Sequence, residues 1–486
     1  MRLGRRTSPF WVITLAFTVV LGIAPAAEAA APPTLRLFAG ASSIEVRRQS
    51  DDFVWVDPGT WIASVGGGFE LVMARPDYET PISVSQVDPL TGTVVRTLPV
   101  EMLDGWSGLR DFVHVSVRDG RGRLVLRQAL PFCPNGYSRA RLSDDGPMTP
   151  SYPSFCGGNP FTRGMVWGID DHWAVAAVSD YGLVFEAPGK RYRVRVWIDP
   201  AWVEVLDIAE EDAETFVTVK VTGRSRDGGE PPRPAAPTGR GFPSVPVVTN
   251  PDPRGLPDLI ALPAWGMSTY HRKGRDYLGF SATEWNAGPG TLVVEGFRGH
   301  NEDLMEAYQY FLVDGRPVGR TPIGHLEFHP AHHHWHFQQF TEYTLLDADS
   351  GEVAISGKQS WCLANTDAID LSVPNANWTA FGGDLFTMCG GPSALWIREI
   401  LDVGWGDTYS QFVAGQAFDI SNLPNGDYYV RVHVNPTGSM LEGAAANNVE
   451  DRLVMLRGKP GYRRVIVPPW NGIDTEGGSP SARELY

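Results

Sequence analysis

His329 to His336 reads HPAHHHWH and holds five of the eleven histidines of this 486-residue chain. His332, His334 and His336 alternate along it. In an extended strand alternate side chains share one face, so three imidazoles converge there, whereas a helix would scatter them. Phe328, Trp335 and Phe337 around the histidines predict a partly buried strand rather than a solvated His-rich loop. Imidazole ligands suit copper, zinc, iron or nickel rather than magnesium or calcium, and no thiolate lies close by to favour Cu(I) or structural zinc. Three neutral nitrogens with an open position fit a catalytic metal centre better than a structural one.

Outward from this stretch the pattern is β on both sides. Tyr192–Ile198 (YRVRVWI), Phe216–Val221, Tyr308–Leu312, Phe340–Leu346, Val353–Ser356 and Tyr429–Val434 are runs of β-formers divided by turns such as Asp88-Pro89, Asp119-Gly120 and Asp314-Gly315. Asp347–Gly351 (DADSG) resembles a fragment of a calcium loop, but the trailing acidic ligands are missing and a hairpin turn is expected. Only Glu210–Thr215 offers one or two helical turns. The fold class expected is mainly β with few short helices.

The ends and the middle differ in composition. Arg2, Arg5 and Arg6 precede an apolar run from Phe10 to Ala24 and then Ala27-Glu28-Ala29, the layout of a secretory signal peptide over residues 1–29. The run is too short to favour a spanning helix, so a secreted, extracellular or cell-envelope location without a membrane span is expected. Residues 30–222 predict a β-sandwich-like domain in which His114 and His172 stand isolated. Residues 223–254 predict a Pro/Gly-rich linker, 255–458 a second β-rich domain, and 459–486 an extended tail.

The chain carries a net charge of −15, and the signal's three arginines and one glutamate contribute +2, which leaves the rest at −17. This acidity favours cationic partners and argues against nucleic acid, which would need a basic stripe. Four cysteines in an exported chain suit two disulfides, and sequence order suggests Cys133 with Cys156 and Cys362 with Cys389. Basic positions default to arginine, with 36 Arg against five Lys. Lys358 is the one lysine between residues 274 and 458, which suggests a need for a primary amine. An amine can be deprotonated and act as a nucleophile; a guanidinium cannot.

With these residues in view, residues 255–458 resemble the catalytic domain of lysyl oxidases. The resemblance runs through GLPDLIALP (Gly255–Pro263), His332-x-His334-x-His336, YTLLDA (Tyr343–Ala348), KQSWCL (Lys358–Leu363), Asp407-Thr408-Tyr409, Gln416 with Asp419-Ile420, GDYYVRVHVNP (Gly426–Pro436) and Asn447-Asn448. It implies copper held by His332, His334 and His336, and a lysine tyrosylquinone cofactor made from Lys358 and Tyr409. It also implies a copper- and quinone-dependent amine oxidase that uses O2 to convert lysine side chains of polypeptides, or small primary amines, to aldehydes with release of ammonia and hydrogen peroxide. Asp407, two residues before Tyr409, is the candidate general base. Two departures stand out. Cys389 aligns with a family cysteine whose usual partner is replaced by Ala331, so pairing with Cys362 would be a rewired bridge. One residue is also missing between His336 and Tyr343 relative to animal members. A competing class is a non-catalytic extracellular copper-binding or adhesion protein on the same fold. Zinc-dependent hydrolysis lacks an HExxH helix.

Overall fold

Strand after strand in this chain obeys the period of two. In Arg191–Ile198 every second residue (Tyr192, Val194, Val196, Ile198) is buried and the intervening arginines face out. The computed structural model describes residues 32–48, 53–143, 145–178, 182–224, 242, 244–298, 304–329, 334–349, 351–358, 360–379, 389–390 and 394–476. The signal-peptide segment and the core of the linker lie outside them. The described residues are mainly β, as expected, and six sheets account for the strands of the topology. Their one α-helix is the short Pro200–Val205, started by the Asp199 carboxylate on the Ala201 N–H and by proline at its first position. Glu210–Asp212, where helical turns were expected, is a single 3-10 turn.

Three sheets are built from strands between Thr34 and Arg224. The widest has seven strands, Leu183–Glu186, Phe53–Val56, Ser43–Arg48, Glu214–Arg224, Arg191–Ile198, Leu109–Asp119 and Leu124–Phe132, and all its pairings are antiparallel except that of Glu214–Arg224 with Ser43–Arg48. Cys133 and Cys156 are bridged here, with Cα atoms 5.7 Å apart. His114 pairs with Asp199 at 2.8 Å and stacks on Trp197, a structural role.

Three further sheets use strands between Leu259 and Ile466. One runs Leu259–Ala261, Arg275–Asn286, Trp405–Tyr409, Asp367–Ala368; the second runs Ser360–Trp361, His334–Gln338, Arg316–His329, Leu304–Val313, Leu292–Phe297, Trp396–Leu401. The third has five strands with Glu352–Ile355 at one edge and Tyr462–Ile466 at the other. The Asp314-Gly315 turn closes its hairpin with both residues at positive φ, 52° and 71°, as the two-residue connection requires. Asp347–Gly351 is likewise a hairpin turn, with the Asp347 carboxylate accepting from the Gly351 N–H at 2.8 Å.

The two halves share a packed boundary. Phe161 is fully buried among Leu262, Trp265, Trp285 and Ile369, Asn159 donates to the Thr283 hydroxyl at 3.2 Å, and the Thr162 hydroxyl donates to the Ala368 carbonyl at 2.7 Å. The N-terminal half thus buttresses the strand that carries Thr283 and Glu284. The segment read as a tail is part of this boundary: Tyr462–Ile466 adds a strand, and Trp470 packs on Tyr78 and Phe161. The end of the segment read as a linker is also seated, with the Val248 N–H bonded to the Arg320 carbonyl at 2.9 Å.

Beneath that segment the Phe242 ring lies 3.8 Å from the Arg398 guanidinium, which is paired with Glu295, both side chains almost wholly buried. Removing one partner strands the other charge in the interior, so Glu295→Ala is expected to cost about 3–5 kcal/mol. Denaturant unfolding of the variant checks this.

Candidate active site

The strand His334–Gln338 is held on both sides, by Arg316–His329 and by Ser360–Trp361, and its residues alternate as the sequence requires. Trp335 and Phe337 enter the core, while His334 and His336 share the opposite face with ring centroids 4.8 Å apart. His336 is buried and His334 half-buried. His332 lies outside the described residues. Two adjacent imidazoles on a fixed strand fit a metal that takes nitrogen donors. A second group of donor atoms, Cys362, Cys389 and Glu399, also comes together. Its sulfurs are bonded to each other, so they offer no thiolate.

That disulfide is the rewired bridge expected from the sequence, with Cα atoms 5.8 Å apart. It joins two parts of the site. The Trp335 N–H, between the two histidines, donates to the Cys389 carbonyl at 2.9 Å. At the other end, the Tyr409 hydroxyl accepts from the Cys362 N–H at 2.8 Å and donates to the Cys362 carbonyl at 3.0 Å. Closing its 27-residue separation adds roughly 3 kcal/mol in the chain-entropy account.

Lys358 and Tyr409, 51 positions apart in sequence, meet. The Lys358 ammonium nitrogen lies 4.4 Å from the Tyr409 ring centroid and 5.8 Å from that of Trp361. Lys358 is only 5% exposed, and this burial pulls its pKa down to about 8 against the opposing pull of Asp407, Glu284 and Glu399. Burial pushes the Tyr409 phenol up, and Asp407 adds to the shift.

Around the lysine stand three buried carboxyl groups. Asp407 shares the strand Trp405–Tyr409 with Tyr409, on the same face two residues away, and lies directly across the ladder from Glu284. Burial raises both: Glu284 reaches about 8, and Asp407 is held well above the usual carboxylate range, with Glu284 and Glu399 adding to the shift. Glu399, also raised by burial, accepts from the Leu363 N–H at 3.1 Å, and the Tyr343 hydroxyl donates to Glu284 at 3.0 Å. Like charges directly opposite on a ladder repel, so this group keeps protons that exposed carboxylates would release. Asp407 Oδ2 and Glu399 Oε1 make no hydrogen bond among the described residues.

A cavity of about 460 Å³ reaches Lys358 and is lined by Glu327, Gln338, Thr341, Glu342 and His433 among others. A wider cleft of about 910 Å³ lies between Asp119–Leu126 and Val184–Tyr192 and holds none of this chemistry. Sequence reasoning had the histidines, Lys358, Tyr409 and Asp407. It missed Glu284, Glu399 and the cavity. The available signal was a single carboxylate in each of two strand-like runs, Leu278–Asn286 and Ile397–Leu401.

The lysyl oxidase family model matches residues 314–462. The chain is 27% identical to Lysyl oxidase homolog 1 of Homo sapiens over 240 residues, 48% of this chain and 39% of that relative. It is 29% identical to Protein-lysine 6-oxidase of Homo sapiens over 201 residues, 40% of this chain and 44% of the relative. With Lysyl oxidase homolog 2 of Homo sapiens it shares 30% identity over 123 residues, 25% of this chain and 14% of the relative. The chain therefore spans less than half the length of each. The matched region, which holds His334, His336, Lys358 and Tyr409, is similar to the lysyl oxidase family.

Proposed function

We propose that the protein is a secreted amine oxidase that uses copper and a lysine tyrosylquinone derived from Lys358 and Tyr409. The observation that carries this reading is the Lys358 amine resting 4.4 Å from the Tyr409 ring centroid, inside a group of buried carboxyls and two residues before the strand Ser360–Trp361 that pairs with the strand of His334 and His336. His334 and His336, with His332, would hold the copper. Copper with O2 supplies the oxidation of the Tyr409 ring, and the quinone supplies the electrophile and electron sink for amine oxidation. Overall, one primary amine, one O2 and one water give one aldehyde, one ammonia and one hydrogen peroxide.

The chain's own groups prepare each part. Two hydrogen bonds with the Cys362 backbone, one accepted and one donated by the Tyr409 hydroxyl, hold the ring beside the lysine. Burial leaves a large fraction of Lys358 neutral near pH 8, and a neutral amine is the nucleophile. Asp407 then takes the proton from the carbon beside the substrate nitrogen. Its position two residues from Tyr409 and its upward-shifted pKa support that role. Trp361, fully buried and with its ring centroid 5.8 Å from the Lys358 nitrogen, covers one side of the group.

Peptide mass spectrometry of copper-loaded protein, with and without phenylhydrazine, tests the reading. The expected result is one covalently joined, hydrazine-reactive pair of peptides containing Lys358 and Tyr409. Two unmodified peptides after full loading in air would overturn it in favour of a copper-binding protein. The rate of cross-linking should climb with pH and level off above about 8, because only the unprotonated amine adds.

A further inference from the structure

We propose that Asn159, in the N-terminal half, is a positioning residue for the buried carboxyl pair Glu284 and Asp407, acting through Thr283 and Thr408 on the far face of the two strands that carry the pair. This rests on the amine-oxidase reading and adds a residue of the N-terminal half to that site.

The paired strands Arg275–Asn286 and Trp405–Tyr409 have two faces with different tasks. Thr283 lies directly across from Thr408, and Glu284 directly across from Asp407. Successive residues of a strand point to opposite sides, so the two carboxyls face Lys358 while the two hydroxyls face the boundary with the N-terminal half. When ionised the carboxyls repel across the ladder. On the other face the Thr283 and Thr408 hydroxyls are bonded to each other at 2.7 Å, which clamps the same two strands together.

Asn159 gives that clamp its direction. Its side-chain amide donates to the Thr283 hydroxyl oxygen at 3.2 Å, and the Trp265 indole N–H donates to the same oxygen at 3.2 Å. A hydroxyl has two acceptor lone pairs and one proton, so with both pairs filled the Thr283 proton points to Thr408. The Thr408 hydroxyl is bonded onward to Asp367. The Asn159 amide is fixed in this sense, because its oxygen already accepts from the Phe161 N–H at 2.9 Å. Its backbone is seated too: the Asn159 N–H donates to the Thr162 hydroxyl at 3.0 Å, and that hydroxyl donates to the Ala368 carbonyl at 2.7 Å. Asn159 is 4% exposed and Thr283 wholly buried, so no bulk water stands ready to replace a lost donor.

Without the Asn159 donor the Thr283 proton has no fixed direction, and the strands are freer to part on the face where Glu284 and Asp407 repel. Greater separation weakens the repulsion that helps to hold Asp407 above the ordinary carboxylate range, so its pKa falls. The base becomes weaker and less well aimed. The cavity above Lys358 is lined by other segments, so entry of the amine is untouched.

The experiment uses copper-loaded full-length protein and its Asn159→Ala and Thr283→Val forms, with rates referenced to quinone content. Both should lose roughly ten- to a hundredfold in kcat with KM nearly unchanged. In both, the pH limb of turnover should move to lower pH by about one unit. Thr283→Ser keeps the hydroxyl and should restore the parent limb. Trp470→Leu loosens the same boundary through Tyr78 and Phe161 without touching Thr283, and should lower stability with the limb in place. On a Glu284→Gln background Asn159→Ala should shift the limb no further, since the repulsion it acts through is gone. An unmoved limb in Asn159→Ala and Thr283→Val, an equal shift in Trp470→Leu, or a full shift on the Glu284→Gln background overturns the proposal. Infrared titration of metal-free protein keeps this separate from the oxidase reading: the buried carboxyl band that Asp407→Asn removes should titrate at lower pH in Thr283→Val. If no amine is turned over and no hydrazine-reactive species forms, the oxidase reading fails. An unshifted band sinks the positioning role alone.

Discussion

Lys358→Arg is expected to abolish the hydrazine-reactive species and to lower amine oxidation at least about a thousandfold, while copper binding and thermal stability stay close to those of the parent. The substitution is chosen because it keeps a cation where the structure wants one. Lys358 faces Asp407, Glu284 and Glu399, and removing its charge outright would leave three buried carboxyls without a counter-charge. Arginine preserves the Coulomb interaction and the stacking on Tyr409 and Trp361. It cannot supply a neutral nitrogen near pH 8, because a guanidinium stays protonated far above that. Loss of the cross-link with the metal retained assigns the defect to the nucleophile. Full turnover in the variant would show that chemistry at this site does not pass through the Lys358 nitrogen.

How much of this was legible in the sequence depends on whether the signal was local. The alternation of His334, Trp335, His336 and Phe337 is local, and the strand lies as the pattern demands. The scarcity of lysine marked Lys358 without any structural input. The carboxyl group was not readable in the same way. Leu278 to Asn286 are buried without interruption, so the period of two that usually tells inside from outside is absent, and Glu284 gives no sign of which face it occupies. That it stands opposite Asp407 is a matter of register between strands more than a hundred residues apart, which only the assembled sheet sets. The terminal strand Tyr462–Ile466 was hidden for the opposite reason: none of its residues is fully buried, so its composition reads as a tail. The helix start at Asp199-Pro200 was a readable cap that the charged run Glu210–Thr215 overshadowed.

Asp407→Asn carries the second large effect, a drop in turnover of about 10²–10⁴-fold with the quinone still formed and still hydrazine-reactive. The amide is nearly the same size, so the packing of the strand Trp405–Tyr409 across from Arg275–Asn286 is kept. It cannot accept the proton from the substrate carbon. The pH dependence gives the assignment its sharper test. Burial, then Glu284 and Glu399, raise the Asp407 pKa well above 3.8, so the carboxylate needed as base appears only as pH rises through that displaced value. On the proposed reading the parent protein should therefore gain activity with pH along a limb lying above the ordinary carboxylate range. In the Asn variant the residual activity should lose that limb. Glu284→Gln removes one repelling neighbour, so it should move the limb to lower pH rather than erase it. A purely structural aspartate predicts the reverse pattern, with all three proteins sharing one pH profile and differing only in stability. Steady-state rates from pH 5 to 9, referenced to the quinone content of each preparation, decide between the two.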